Sequence, residues 1–413
     1  MIYRLSLRFW SSLVRLGAPF LISRRLKKGL EHSNRYQERY GLSNQVAPNA
    51  DLIWLHGASV GESLSILPLI EKIALTKPQW RFLITTTTIA AQKVITSRMQ
   101  ENTMHQFIPF DATPWVNRFL DHWKPKAALF VESEIWPNVL CQLNKRGIPI
   151  TLLNARLSQS SFNNWLRVKN ISSQLWNSFS KIYTQSDEFT ERFQKLGANS
   201  VETLGNIKLL SKELPFDKAE YEYWKTQIGD RPCWVAASTH KGEEEQIFSV
   251  HQKLKKDFPN LLTIIAPRHI DRCDEILSKS EGVTISKYTE KNLKKEDILL
   301  VNAMSKLGLF YRLTSIAFIG GSLIPQGGHN PLEPSMIGAF PLWGPHFFNV
   351  DDMMYLFKGF PCQQMNTDQL SASVKNLLQH PQELKHLVHN LQQRILISCE
   401  IINAQVDDLI ASL

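Results

Sequence analysis

Carboxylates stand at two places in the first half of the chain where they could move a proton or stabilise positive charge. The segment His56-Gly-Ala-Ser-Val-Gly-Glu62-Ser63 follows an apolar run, and its small residues permit a tight turn and close approach of a substrate. Glu62 at the mouth of that turn could take a proton from an attacking hydroxyl. It could equally complement a helix N-terminus, with Ser59 or Ser63 as cap. Further on, Glu132-Ser-Glu134-Ile-Trp-Pro-Asn138 places two mutually repelling carboxylates one residue apart. One of them needs a cation or a place in a cleft, and Asn154-Ala-Arg156-Leu-Ser158 offers the cation. A surface salt-bridge network is the alternative.

The second half is rich in residues that bind phosphate. Pro267-Arg268-His269 ends an apolar run, and an arginine there suits bidentate contact with an anion. Gly320-Gly-Ser322 and Gln326-Gly-Gly-His-Asn330-Pro331-Leu332-Glu333-Pro334 combine glycines with a helix start. Asn330 would cap it, Pro331 would occupy its first turn, and Glu333 would reach ribose hydroxyls. No GxGxxG fingerprint and no Walker A motif occurs, which argues against NAD and ATP chemistry. Histidines are scattered and no DxD pair occurs, so no metal site is expected. A sugar-nucleotide enzyme of this kind would stabilise its leaving phosphate with cations and helix dipoles, and Lys208 in Leu204-Gly-Asn-Ile-Lys208 is placed for that.

The elements that position these residues alternate in period. Strands are predicted at Leu52, Phe82, Ala127, Ile150 and Lys181, with helical spacing between them over Ser63–Leu75 and Trp136–Lys145. After a polar stretch at 211–231 the alternation restarts at Cys233, Leu261, Ile298 and Ile316. This predicts an α/β protein with two Rossmann-like parallel-sheet domains, 31–210 and 232–413, joined by a linker at 211–231, with a cleft between them and a last helix able to return to the first domain.

Residues 1–30 differ from the rest. They hold seven basic side chains and no acidic one, and removing them from the net charge of +9 leaves only +2. The basicity is therefore local, and with no aromatic-interleaved basic groove elsewhere a nucleic-acid partner is not expected. On a helical wheel Arg4, Arg8 and Arg15 share a narrow arc with Ser11 beside them. Ile2, Leu5, Phe9, Leu13, Leu16 and Phe20 lie opposite, extended by Trp10 and Val14. Arginines interrupt the run before the roughly 20 apolar residues that spanning needs, so the helix suits a membrane surface; packing on its own domain is the alternative. The five cysteines are widely spaced and read as reduced thiols.

In order, the motifs HGASVGE, ESEIWPN, NARLS, GNIK, STHKGEE, PRH, IGGS, GGHNPLEP and WGPHFFN, with Arg39-Tyr40-Gly41 after the basic helix, closely resemble the bacterial 3-deoxy-D-manno-octulosonic acid (Kdo) transferases. The resemblance implies a GT-B fold and an inverting, metal-independent glycosyltransferase without a cofactor. Such an enzyme moves Kdo from CMP-Kdo to the 6′-hydroxyl of the lipid A precursor lipid IVA, at the cytoplasmic face of the bacterial inner membrane. It implies an acceptor-binding N-terminal domain and a CMP-Kdo-binding C-terminal one. Glu62 matches the general base, Glu132 and Lys208 match transition-state stabilisers, and Pro267, Arg268, Ser305, Lys306, Leu307, Asn330, Pro331, Leu332 and Glu333 match CMP-binding positions. One departure stands out: the family's Met-Gly-Glu-Leu turn reads Met304-Ser305-Lys306-Leu307 here. Contacts through backbone groups would survive that change; contacts through the glutamate side chain would not. Another GT-B enzyme acting on a UDP-sugar (a transferase or an epimerase) is the rival reading, and an inactive membrane-surface protein of the same fold is a second.

Overall fold

The computed structural model describes residues 2–210, 213–291, 293–348, 353–362 and 365–412. The chain divides into two compact units, Met1–Ser211 with Glu400–Leu413, and Lys212–Cys399.

The first unit holds a seven-stranded sheet of β1 (Leu52–His56), β2 (Arg81–Thr86), β3 (Thr103–Phe107), β4 (Ala127–Val131), β5 (Ile150–Ala155), β6 (Lys181–Thr184) and β7 (Val201–Thr203). All neighbours pair in parallel, in the order β3-β2-β1-β4-β5-β6-β7. The central strands β1 and β4 are buried along their whole length, as parallel strands covered on both faces must be. Trp54 anchors the core, with its ring against Phe119 and Phe130 and its indole N–H donated to Thr85 Oγ1 at 2.8 Å. The five predicted strands are present; the edge strand β7 was not foreseen, nor was β3. Its His105 and Gln106 are polar yet buried, satisfied by Arg35, Thr86, Trp123 and the Leu42 carbonyl.

The second unit holds a six-stranded parallel sheet of β8 (Cys233–Thr239), β9 (Leu262–Pro267), β10 (Ile285–Lys287), β11 (Ile298–Leu300), β12 (Ile316–Ile319) and β13 (Phe340–Trp343). The order is β10-β11-β9-β8-β12-β13. The short strands β10 and β13 were not foreseen; both lie at sheet edges, and Pro341 is tolerated in β13 for that reason. Gly320 ends β12 where a Cβ would come within 2.3 Å of the Ser238 carbonyl oxygen, so glycine lets β8 and β12 close together.

Part of the expected linker at 211–231 is a folded element of this unit. Asp217 caps a helix over Lys218–Ile228 that buries Trp224 and Ile228, one turn apart, with Trp224 stacked on Tyr288. Its charged outer face hid this apolar stripe from a composition-based reading. The end of the final helix, Pro381–Ser412, belongs to the first unit, where Gln405 Nε2 donates to the Thr203 carbonyl at 3.1 Å and Ile402 and Val406 are buried.

The N-terminal helix α1 (Ile2–Lys27) presents different faces to different surroundings. Leu7, Ser11, Ala18 and Ile22 form a stripe buried against the first unit. Ser11 Oγ accepts the Thr113 N–H at 3.0 Å, and the Trp10 indole donates to Asp111 at 3.2 Å. Ser11, placed on the arginine arc by the wheel, thus faces the domain instead, because it satisfies a backbone donor there. On the opposite side Phe9, Leu13, Leu16 and Phe20 remain exposed, by 68, 47, 80 and 74%. No helix of the described residues is long and apolar enough to cross a membrane.

Candidate functional site

The strand order turns back between β1 and β4 in the first sheet and between β8 and β12 in the second, where β10 also lies outside β11. Ligands of open α/β sheets bind beyond the carboxyl ends of strands at such points. Most of the residues singled out in the sequence follow these strands or their neighbours.

After β1 the chain turns into helix α2 (Val60–Thr76). Ser59 is its cap, with Oγ accepting the Glu62 N–H at 3.3 Å. The half-buried Glu62 carboxylate accepts the Ala58 N–H at 2.7 Å and the Ser59 hydroxyl at 2.9 Å. Glu62 therefore closes the turn as a cap does. A carboxylate has about four acceptor sites, so two bonds leave it capacity to receive a proton.

At the end of β4, Glu132 is buried and adopts a left-handed backbone, φ +64°. Arg156 Nε donates to its Oε2 at 3.0 Å, with Nη2 2.8 Å from the same oxygen in an ion pair, and Lys208 Nζ stands 3.9 Å from Oε1. The structure thus brings Glu132 and Lys208 together, and Arg156 is the cation that the spacing called for. Asn154, itself at φ +55°, holds the Lys208 segment through the Ile207 N–H at 3.2 Å. Non-glycine residues in this conformation are uncommon and cluster at functional sites.

Glu134 is not left to repel Glu132. Its Oε2 accepts from His56 Nε2 at 3.1 Å and from the Trp136 indole at 2.9 Å. Burial alone would raise this carboxyl, but the hydrogen bond and charge of His56, with the Trp136 N–H, hold it below the ordinary carboxylate range. This partnership joins residues 78 apart and was not read from the sequence, although both lie in motifs that were.

In the second unit Pro267, Arg268, Ser305, Lys306 and Leu307 line one pocket with Ser238, Ala266, Val301, Ala303 and Met304; its empty volume is about 380 Å³, open to solvent. The Arg268 guanidinium is exposed and makes no hydrogen bond or ion pair among the described residues, so it is available to an anion. Lys306 turns to Glu220 instead, at 2.7 Å, and Glu220 also accepts the Tyr288 hydroxyl at 2.8 Å. Ser305 sits at φ +61°, a conformation suited to glycine. Glycine, the family's residue at this position, would take that conformation without strain. Ser305→Gly is expected to raise stability by about 1 kcal/mol in thermal unfolding, by relieving that conformation.

Asn330, Pro331, Leu332 and Glu333 do not line this pocket. Asn330 Oδ1 accepts the Leu332 N–H at 3.0 Å and its amide faces Glu333 at 3.4 Å, at the start of a short helix over Leu332–Ile337. Just before them, His329 Nε2 meets His240 Nε2 at 2.8 Å, so one proton is shared between the rings. Burial, then the charges of His240, Arg268 and His269, push His329 down to about 4, which keeps the pair uncharged at neutral pH. Glu243, which the sequence reading passed over, is fully buried and accepts backbone N–H groups from His240, Gly321, Ser322 and Leu323 at 2.7–3.0 Å. Its place in STHKGEE, opposite the glycines of IGGS, is the signal that could have found it. Among the described residues no group of three or more His, Cys, Asp or Glu is arranged to hold a metal.

Two parallel sheets of this topology, with candidate residues at their strand-order reversals, define a GT-B protein. The Anabaena HepE protein solved in complex with UDP has the same fold, with a TM-score of 0.58, 13% identity, and coverage of 88% of this chain and 100% of that one. The chain belongs to the 3-deoxy-D-manno-octulosonic acid transferase family. The family's sequence profile, 3-deoxy-D-manno-octulosonic-acid transferase (kdotransferase), matches residues 34–211. The Rickettsia felis transferase is 36% identical over 308 residues, 73% of this chain and 66% of that protein. The Haemophilus influenzae transferase is 32% identical over 396 residues, 92% of each chain.

Proposed function

We propose that the protein transfers Kdo from CMP-Kdo to the 6′-hydroxyl of the lipid A precursor lipid IVA, with inversion and without a metal. The observation that supports this most is the set of carboxylates at the β1/β4 reversal, in a chain of the Kdo transferase family. Glu62 takes the proton of the acceptor hydroxyl. The oxygen attacks the anomeric carbon of Kdo as the bond to the CMP phosphate breaks, and CMP leaves with the electron pair. Lys208, held beside Glu132, stabilises the developing charge. The Pro267–Arg268 and Ser305–Leu307 pocket, with the Asn330–Glu333 segment, holds the nucleotide. Transfer of Kdo to tetra-acylated lipid A precursor, followed by mass spectrometry, tests this. A product heavier by Kdo is expected; turnover of a UDP-sugar with none of CMP-Kdo would overturn it.

The exposed Phe9, Leu13, Leu16 and Phe20 face and the exposed Arg8, Arg15 and Arg24 support surface binding to the cytoplasmic leaflet of the inner membrane, where a lipid-linked acceptor resides. Burying each large apolar side chain contributes roughly 1.5–3 kcal/mol. Replacing Phe9, Leu16 and Phe20 together by Ser is therefore expected to weaken co-sedimentation with anionic vesicles by at least about tenfold. Undiminished vesicle binding would remove α1 as the anchor.

A further inference from the structure

Glu134 takes no part in the reaction above, yet more is built around it than an ion pair requires. His56 is wholly buried and both its ring nitrogens are engaged. The Trp54 indole donates to Thr85 Oγ1 at 2.8 Å, and His56 Nδ1 lies 2.8 Å from that hydroxyl and 3.0 Å from the Thr85 carbonyl oxygen. His56 Nε2 donates to the Glu134 carboxylate, which can only accept, at Oε2 3.1 Å away. With the Trp136 indole on the same oxygen at 2.9 Å, two donors fix the plane of the carboxylate through one atom.

The other oxygen, Oε1, has no partner among the described residues, and the Glu134 side chain is 23% exposed beside a half-buried Trp136. A fixed carboxylate with one free oxygen is an acceptor for hydroxyl or amide donors, and an indole alongside covers the apolar C–H face of a sugar ring. The location fits as well. Thr85, which ends the relay through its hydroxyl, accepts the Gly57 N–H through its carbonyl at 3.2 Å, so the same residue holds the turn that leads to Glu62.

We propose that Glu134 and Trp136 form the subsite for the acceptor's sugar ring, Glu134 Oε1 accepting a hydrogen bond from a ring hydroxyl or amide and Trp136 lying on the ring's C–H face, with His56 as the positioning residue. This rests on the reading that the acceptor is a glycolipid. It separates two carboxylates that the sequence places side by side: Glu132 serves the reaction's charge, Glu134 the acceptor's orientation.

Steady-state kinetics of Glu134→Gln, with acceptor and CMP-Kdo varied separately, test the subsite. The amide keeps an oxygen for His56 and Trp136 but turns Oε1 into a donor. The acceptor KM is expected to rise roughly 10- to 100-fold, the range for a lost hydrogen bond to a charged group, with the CMP-Kdo KM unchanged. An unchanged acceptor KM, or equal rises in both, would overturn the subsite. Should Glu134→Gln fail to fold, Trp136→Phe keeps the ring and removes one donor, and the same split between the two KM values decides. If the wild-type protein transfers no Kdo, the reaction proposed above fails. Titration of the acceptor lipid in detergent then judges the subsite alone: tenfold weaker binding by Glu134→Gln supports it, and equal binding refutes it.

Discussion

Glu62→Gln is expected to lower kcat for Kdo transfer by roughly 10²–10⁴-fold, the contribution typical of a positioned general base. The substitution is nearly isosteric and its structural consequences are small. The amide oxygen can still accept the Ala58 N–H, and the Ser59 cap of α2 is a contact of the Glu62 backbone, which does not change. Loss of the exposed Ser59 hydroxyl bond to the carboxylate costs about 1–2 kcal/mol. Thermal unfolding close to wild type together with a collapse of kcat would assign the carboxylate to proton transfer. A variant that unfolds earlier but turns over normally would mean that Glu62 does no more than close its turn.

Lys208→Met is the second large effect, roughly 10²–10³-fold in kcat, the scale seen when a preorganised stabiliser of transition-state charge is removed. The fold should tolerate the loss. Glu132 keeps Arg156 at 2.8 Å, so removing Lys208 leaves no unpaired buried carboxylate. Methionine also preserves most of the aliphatic stem of a side chain that is about one-quarter exposed (23%). The diagnostic is where the loss appears. A fall in kcat with KM for CMP-Kdo little changed marks a contact made as charge develops, whereas a rise in KM alone would mark a ground-state binding residue.

These roles rest on residues whose positions were partly legible in the sequence. Glu62, Glu132, Arg268 and the GGHNPLEP segment could be placed because each follows a strand, and apolar runs declare parallel strands plainly. What could not be read has a common cause. The His56–Glu134 bond, the Lys208–Glu132 approach and the four N–H groups gathered by Glu243 each join distant segments, so no local spacing announces them. β3 escaped notice because specific hydrogen bonds replace hydrophobicity in it, and the helix over Lys218–Ile228 because only one side of it is apolar. Ser305 shows the same limit in the backbone: its left-handed conformation, which suits glycine, could not be read from the residue type.

The Glu243 carboxylate bears on binding entropy. Glycine-rich turns are ordinarily loose, and a ligand that seats on one must first immobilise it, at about 1–2 kcal/mol for each residue ordered. Here a single buried side chain has already taken up the amides of Gly321, Ser322 and Leu323 along with that of His240, and so ties the glycine turn to the end of β8. The freedom of that turn is surrendered when the chain folds rather than on binding of a ligand. A ligand with a single phosphate, which offers few contacts with which to organise a protein, would meet there a surface that needs little organising.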